Sequence, residues 1–168
     1  MDDDRTERAG AWLNLLQVNT VVAEALEQRL EERHGLSLAE HEVLVRLSHA
    51  PGGLRMQELA SLLLVSKSGV TRMIDRLVAA GLVRRVASPT DRRVIHASIT
   101  RKGLSKVERS MPDFMTALDD AFSTHLDAHD VDSLRAALRK ILLGNGAWED
   151  RRCASAFTQA PPAAVAVS

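Results

Sequence analysis

Residues 56–100 read MQELASLLLVSKSGVTRMIDRLVAAGLVRRVASPTDRRVIHASIT, and the fold is decided inside this stretch. Ser66 is a good helix N-cap, with Lys67, Ser68 and Gly69 as the first turn, and Val65 can staple against Val70 across the cap. Val70, Met73, Ile74, Leu77 and Val78 then recur at helical spacing and define one buried stripe. Ser68, Thr71, Arg72 and Arg76 fall on other faces. At roughly 100° per residue, Arg72 points almost directly away from the stripe. Gly81 stops the helix at the position just past its last turn. The preceding helix, residues 56–63, buries Leu59, Leu62 and Leu63. Its link through Leu64 and Val65 is so short that the two helices must cross steeply, which is the helix-turn-helix arrangement.

After Gly81 the run Leu82-Val83-Arg84-Arg85-Val86 has strand character, Ser88-Pro89-Thr90-Asp91 is rich in turn formers, and residues 94–99 alternate apolar with polar. This predicts a two-stranded hairpin, a wing, with Asp91-Arg92-Arg93 at its tip and Arg84 and Arg85 at its base. Between Ser66 and Lys102 stand nine lysines and arginines against Asp75 and Asp91, a local net charge of +7. The whole chain sums to zero, so the remainder carries −7. A polyanion would meet a concentrated basic face that the overall charge conceals. The DNA-binding candidates are therefore Ser66, Lys67, Ser68, Thr71, Arg72 and Arg76 on the second helix, with Arg84, Asp91, Arg92 and Arg93 on the wing.

The 168 residues suffice for one domain with appendages, and aromatics at 3% with no tyrosine favour helices packed through aliphatic side chains. Asp2, Asp3 and Asp4 are the wrong charge for a signal peptide, and no apolar run reaches membrane-spanning length, so a cytoplasmic protein is expected. The single cysteine, Cys153, cannot form an internal disulfide.

Long helical patterns flank the winged segment. Residues 6–33 carry Trp12, Leu15, Leu16, Val18, Val22, Ala25, Leu26 and Leu30 on one broad face before Gly35, and a second helix follows from Ser37 to His49. Beyond the wing, Thr100 can cap a long helix with Leu104, Val107, Met111, Phe114, Leu118, Phe122 and Leu126 on one side, kinked at Pro112. A last helix over 131–143 is expected to bury Leu134, Leu138, Ile141 and Leu142. The terminal helices have more apolar surface than a small winged domain can cover, which predicts a two-fold homodimer. The expected architecture is mainly α: a helix-turn-helix with a two-stranded wing over 35–100, flanked by dimerisation helices at 1–34 and 101–144, with an Ala- and Pro-rich tail at 145–168.

The residues from Leu59 through Arg72, with Ile74-Asp75-Arg76-Leu77, Gly81-Leu82-Val83, Asp91-Arg92-Arg93 and Ile99-Thr100-Arg101-Lys102-Gly103, resemble the MarR family of transcriptional regulators. The resemblance extends more loosely over residues 10–143. It implies a homodimer on a pseudopalindromic double-stranded operator, acting as a repressor released by a small phenolic or other aromatic effector held between dimerisation helices and reading head. It implies further that Asp91 pairs with a neighbouring arginine while the other arginine enters the minor groove, where a narrow A-tract groove attracts it. Leu64 stands where many relatives have glycine. Trp12 and His41 are the effector-binding candidates; the plainer reading makes Trp12 a core residue and His41 a solvent-exposed one.

His125 and His129, at i and i+4, and the Glu40-His41 pair raise a metal reading, but surface histidines near a helix end account for them more simply, and no metal or other cofactor is expected. No phosphate loop, nucleophile elbow or His-Glu-x-x-His pattern occurs, which argues against an enzyme. The remaining alternative is a winged-helix protein-interaction module without specific DNA binding.

Overall fold

The computed structural model describes residues 3–63, 65–87 and 95–149. The helices are α1 (Asp3–His34), α2 (Leu38–Ser48), α3 (Met56–Leu63), α4 (Lys67–Ala79), α5 (Arg101–Ala121) and α6 (Ala128–Gly144). The strands are β1 (Leu54–Arg55), β2 (Val83–Ala87) and β3 (Ile95–Ile99). The fold is mainly helical with one small antiparallel sheet, a winged helix-turn-helix.

Helix α2 is the hub of the molecule. Its start is set by a capping box: Ser37 Oγ accepts from the Glu40 N–H, and the Glu40 carboxylate accepts from the Ser37 N–H, both at 3.1 Å. Glu27 of α1 accepts from the Leu38 N–H and ties the two helices at this corner. Val43, Leu44, Val45 and Leu47 are then fully buried, and α2 packs against α1, α3, α4, α5 and β3. A helix apolar on more than one side belongs inside a domain, and α2 holds the centre of the reading head.

The sheet has three strands, in the order β1-β3-β2. The hairpin β2–β3 matches the expected wing strands, with Val83 opposite Ile99 and Ala87 opposite Ile95. Strand β1 is an addition: Leu54 pairs with Ala97 and Arg55 with His96. Two residues are too few to show an alternating pattern, and the pairing spans more than forty positions of chain, so nothing local announces it.

Among the described residues there are two hydrophobic clusters. One joins Val43, Leu44 and Leu47 of α2 to Leu59, Leu62, Ile74, Leu77, Val83 and Ala97, with Val107 reaching in from α5. The other is Leu26 and Leu30 of α1 against Phe114 and Ala117 of α5. Asp113 reinforces this second cluster by pairing with Arg33 at 2.6 Å and His34 at 2.9 Å.

Two expectations for the flanking helices change. Helix α5 ends at Ala121, because Phe122 leaves helical geometry (φ −139°, ψ −62°), and a single 3-10 turn, Ser123–His125, follows. Asp127 then caps α6 through a box with Asp130, so His125 and His129 belong to different elements and do not share one helix face. Nor does α6 bury its apolar residues against the other described residues: Leu134, Leu138 and Leu142 are half-buried and Ile141 is 56% exposed. On α1 the same holds for the N-terminal half, where Trp12 is 57% and Leu13 62% exposed. Apolar residues continuous over several turns without cover are uncommon on a lone soluble chain. No helix among the described residues is long and apolar enough to cross a membrane.

Candidate nucleic-acid interface

Helix α4 is built as the local pattern requires. Ser66 is extended (φ −68°, ψ 156°), and its Oγ accepts from the Gly69 N–H at 3.1 Å. Ser68 Oγ lies 3.1 Å from the same oxygen. Val70, Met73, Ile74 and Leu77 are buried; Thr71, Arg72, Asp75 and Arg76 are exposed. The far end closes with Gly81 N–H bonded to Val78 O and Leu82 N–H to Leu77 O, both at 2.9 Å. That double closure requires the left-handed backbone that Gly81 adopts at φ +72°, where a Cβ would be strained.

Around this helix the basic side chains divide into two groups. Arg76 is held by Glu40 of α2, with Nε 2.9 Å from the carboxylate; the guanidinium stays largely exposed, while Glu40 is only 13% exposed. Arg85 of β2 reaches Asp75 of α4 at 2.7 Å and braces the sheet against the helix. Arg72 and Arg84 are also exposed, and among the described residues neither forms an ion pair. Successive residues of a strand face opposite sides, so the pairing of Arg85 with α4 turns Arg84 away from it. Ser66 and Ser68 lie exposed at the start of α4. The side chain of Lys67, the residue Leu64, and the wing tip with Asp91, Arg92 and Arg93 lie outside the described residues.

Thr100 helps seat the head on α5. Thr100 Oγ1 donates to the carbonyls of Gly81 (2.8 Å) and Leu82 (3.1 Å), and accepts from the Gly103 N–H at 3.0 Å. A Cβ at position 103 would stand 2.2 Å from Leu82 O and 2.7 Å from Ile99 Cγ1, so only glycine fits. This gives the Thr100-Arg101-Lys102-Gly103 pattern a physical meaning: one hydroxyl links the end of the α4 turn to the start of α5, and one missing side chain lets them touch.

The two effector candidates trade places relative to the plainer reading. His41 is fully buried and Trp12 is exposed. His41 stacks on Phe114 with ring centres 4.9 Å apart and planes at 22°, and neither ring nitrogen has a hydrogen-bond partner among the described residues. Burial, and then the neighbouring His34, push its pKa down to about 4, so the ring is neutral at ordinary pH. Trp12 lies fourteen residues before Leu26, about 21 Å along the helix at ~1.5 Å per residue. Within one chain the two are not brought together.

Sequence patterns alone missed Glu40 as counter-ion to Arg76, Asp75 as counter-ion to Arg85, and the cationic residues Lys106 and Arg109 near the α1–α2 corner. The capping box at Ser37 was a local signal that could have placed Glu40 at the start of α2. Nothing local could have paired it with Arg76.

A helix-turn-helix with its second helix capped, buried on one face and cationic on the other, braced by a β-wing, defines a winged-helix reading head. Comparison with known proteins carries this further. The family model described as "MarR family" matches residues 34–94. The HTH-type transcriptional regulator MhqR of Bacillus subtilis (strain 168) is 33% identical over 109 residues, covering 65% of this chain and 74% of the relative. AbsC, a MarR family transcriptional regulator from Streptomyces coelicolor, superposes with a TM-score of 0.77 at 32% identity, covering 83% of this chain and 95% of that one. Sco3205 from the same organism, solved in complex with DNA, gives 0.78 at 27% identity over 83% and 88% of the two chains. The chain belongs to the MarR family of transcriptional regulators. These relatives are regulators rather than enzymes.

Proposed function

We propose that this regulator binds a pseudopalindromic operator as a homodimer, represses transcription there, and is released by a small aromatic or phenolic effector. The observation that carries the DNA reading is Arg72: exposed, without an ion-pair partner among the described residues, on a helix whose opposite face is buried in the head. In this reading α4 enters the major groove with Arg72 and Thr71 toward base edges, and Ser66, Lys67, Ser68 and Arg76 toward phosphates. Arg84, Arg92 and Arg93 approach the backbone and minor groove from the wing, and Asp91 orders the loop. That a relative of the same fold, Sco3205, was solved on DNA supports this docking.

The uncovered apolar residues of α1 and α6 support dimerisation, since a second copy is the simplest cover for both. The effector reading draws support from His41, a neutral, buried imidazole with two unsatisfied nitrogens facing an aromatic ring between the long helices and the head. Fluorescence anisotropy with the DNA upstream of the protein's own gene tests the core of the proposal. Saturable nanomolar binding that survives competitor DNA is expected. Weak binding that vanishes with salt and shows no sequence preference would make the head a protein-interaction module instead.

A further inference from the structure

A second cleft, apart from His41 and Trp12, opens where the α1–α2 corner, the C-terminal end of α4 and the first turns of α5 meet. It encloses about 340 Å³ and is lined by Leu36, Glu40, Arg76, Lys102, Lys106 and Arg109, among others. That volume lies in the range of small-molecule sites, about 300–1,000 Å³. Its charge is lopsided. Among the described residues Glu40 is the one carboxylate in the lining, and it is engaged by Arg76. Lys102, Lys106 and Arg109 have no carboxylate within ion-pair distance among the described residues.

The lysines are held in place rather than waving in solvent. Lys102 Nζ donates to Ala80 O at 2.8 Å, and Lys106 Nζ donates to His34 O, so each rests on the last carbonyls of a helix, α4 and α1 respectively. Arg109 is anchored within α5 by its Nε bond to Ser105 O at 3.2 Å. Two helix C-termini contribute about half a negative charge each, so the three cations retain a surplus of about two positive charges. Burial, and the charges of Arg109 and Lys102, hold the Lys106 ammonium below its usual pKa, as expected for cations crowded without an anion.

We propose that this cleft binds a small organic dianion, a phosphate monoester or a dicarboxylate, and that its occupancy weakens operator binding by drawing Arg76 into the cleft. The coupling follows from Arg76 itself. It lines the cleft, it is already shared with Glu40, and it lies one turn beyond Arg72 on the exposed side of α4. An anion between Lys106 and Arg109 competes with Glu40 for the guanidinium and repels the Glu40 carboxylate. The linkage is reciprocal: DNA that engages Arg76 weakens the anion to the same degree.

The regulatory half of this proposal rests on the reading of the chain as a DNA-binding regulator; the binding half does not, and the test keeps them apart. Glycerol 3-phosphate, a phosphate monoester, and succinate, a dicarboxylate, are titrated into the full-length protein by calorimetry at constant ionic strength, without DNA. Saturable binding is expected for at least one probe. It should weaken roughly tenfold in Arg109→Gln, because one charge-assisted hydrogen bond is worth about one decade in affinity. Arg109 caps no helix, so that variant should fold as the parent does; Lys106→Arg, which keeps the charge, should retain binding. No saturable binding, or equal binding by Arg109→Gln, overturns the site. In the second arm, the saturating probe should lower operator affinity about tenfold, within the usual span for coupled sites, and should do so less in Arg109→Gln. Unchanged operator affinity at full occupancy overturns the coupling. A protein that binds no operator with or without probe fails the DNA reading and leaves the calorimetric result standing.

Discussion

Replacing His41 with leucine should remove most of the difference in stability between about pH 8 and about pH 4.5 that a buried neutral imidazole creates. In the folded chain the ring is enclosed against Phe114, and its pKa is about 4 against 6.5 for the free side chain. Below pH 6.5 the unfolded chain takes up a proton that the folded chain refuses until about pH 4, so stability declines as pH falls through this window. The window of roughly 2.5 pH units, at about 1.36 kcal/mol per unit, is worth roughly 3 kcal/mol in full, of which about 2.5 kcal/mol is lost by pH 4.5. Urea unfolding of parent and variant at both pH values reads this directly. The parent should lose about 2.5 kcal/mol more than His41→Leu on acidification. At the higher pH the variant should be nearly as stable as the parent or more so, since two unsatisfied nitrogens are exchanged for an apolar side chain of similar size. Parallel pH dependences in the two proteins would refute the buried neutral ring. Asp113 does not blur the window. Hydrogen bonds from His34 and Arg33 hold its carboxyl below the usual 3.8, so its contribution is present above that value and is lost only at more acid pH.

Arg72→Ala should relax operator selectivity by about 1–3 kcal/mol, measured as the affinity difference between the operator and a base-substituted copy; unchanged selectivity would remove α4 as the reader. Arg92→Ala should instead weaken all operators evenly and reduce the slope of log affinity against log salt by about 0.9 for each phosphate left without its cation, whereas a change in sequence preference with an unchanged slope would contradict that role. Gly103→Ala should cost about 1–3 kcal/mol or more in thermal unfolding, because the new methyl meets the Leu82 carbonyl oxygen at 2.2 Å and backbone cannot step aside cheaply; a variant as stable as the parent would show that α5 is not seated on the head in this way. Deleting residues 131–143 should give a protein that sediments as monomer or aggregate and no longer grips a two-half-site operator, while a soluble truncated monomer with undiminished affinity would count against the dimer.

What the sequence determined by itself is the part of the protein whose causes are local. Met56 through Leu63, the Ser66 cap, the stripe from Val70 to Leu77, the Gly81 stop and the Thr100 cap all arise from interactions within about five residues, and each stands in the structure where its pattern puts it. The outward direction of Arg72 belongs to the same class, since it follows from helical geometry once the stripe is known. The tertiary structure alone decided which charges are engaged. Glu40 and Arg76 are thirty-six positions apart and Asp75 and Arg85 ten, and neither pair shares an element, so no periodicity could bring them together. It also reversed the environments of Trp12 and His41. A tryptophan in an apolar stripe is exposed because nothing among the described residues covers the first turns of α1, whereas a polar histidine at a helix start is enclosed because α5 delivers Phe114 onto its face. Burial depends on what arrives from elsewhere in the chain, or from a second chain, and a residue's own neighbours in sequence carry no record of it.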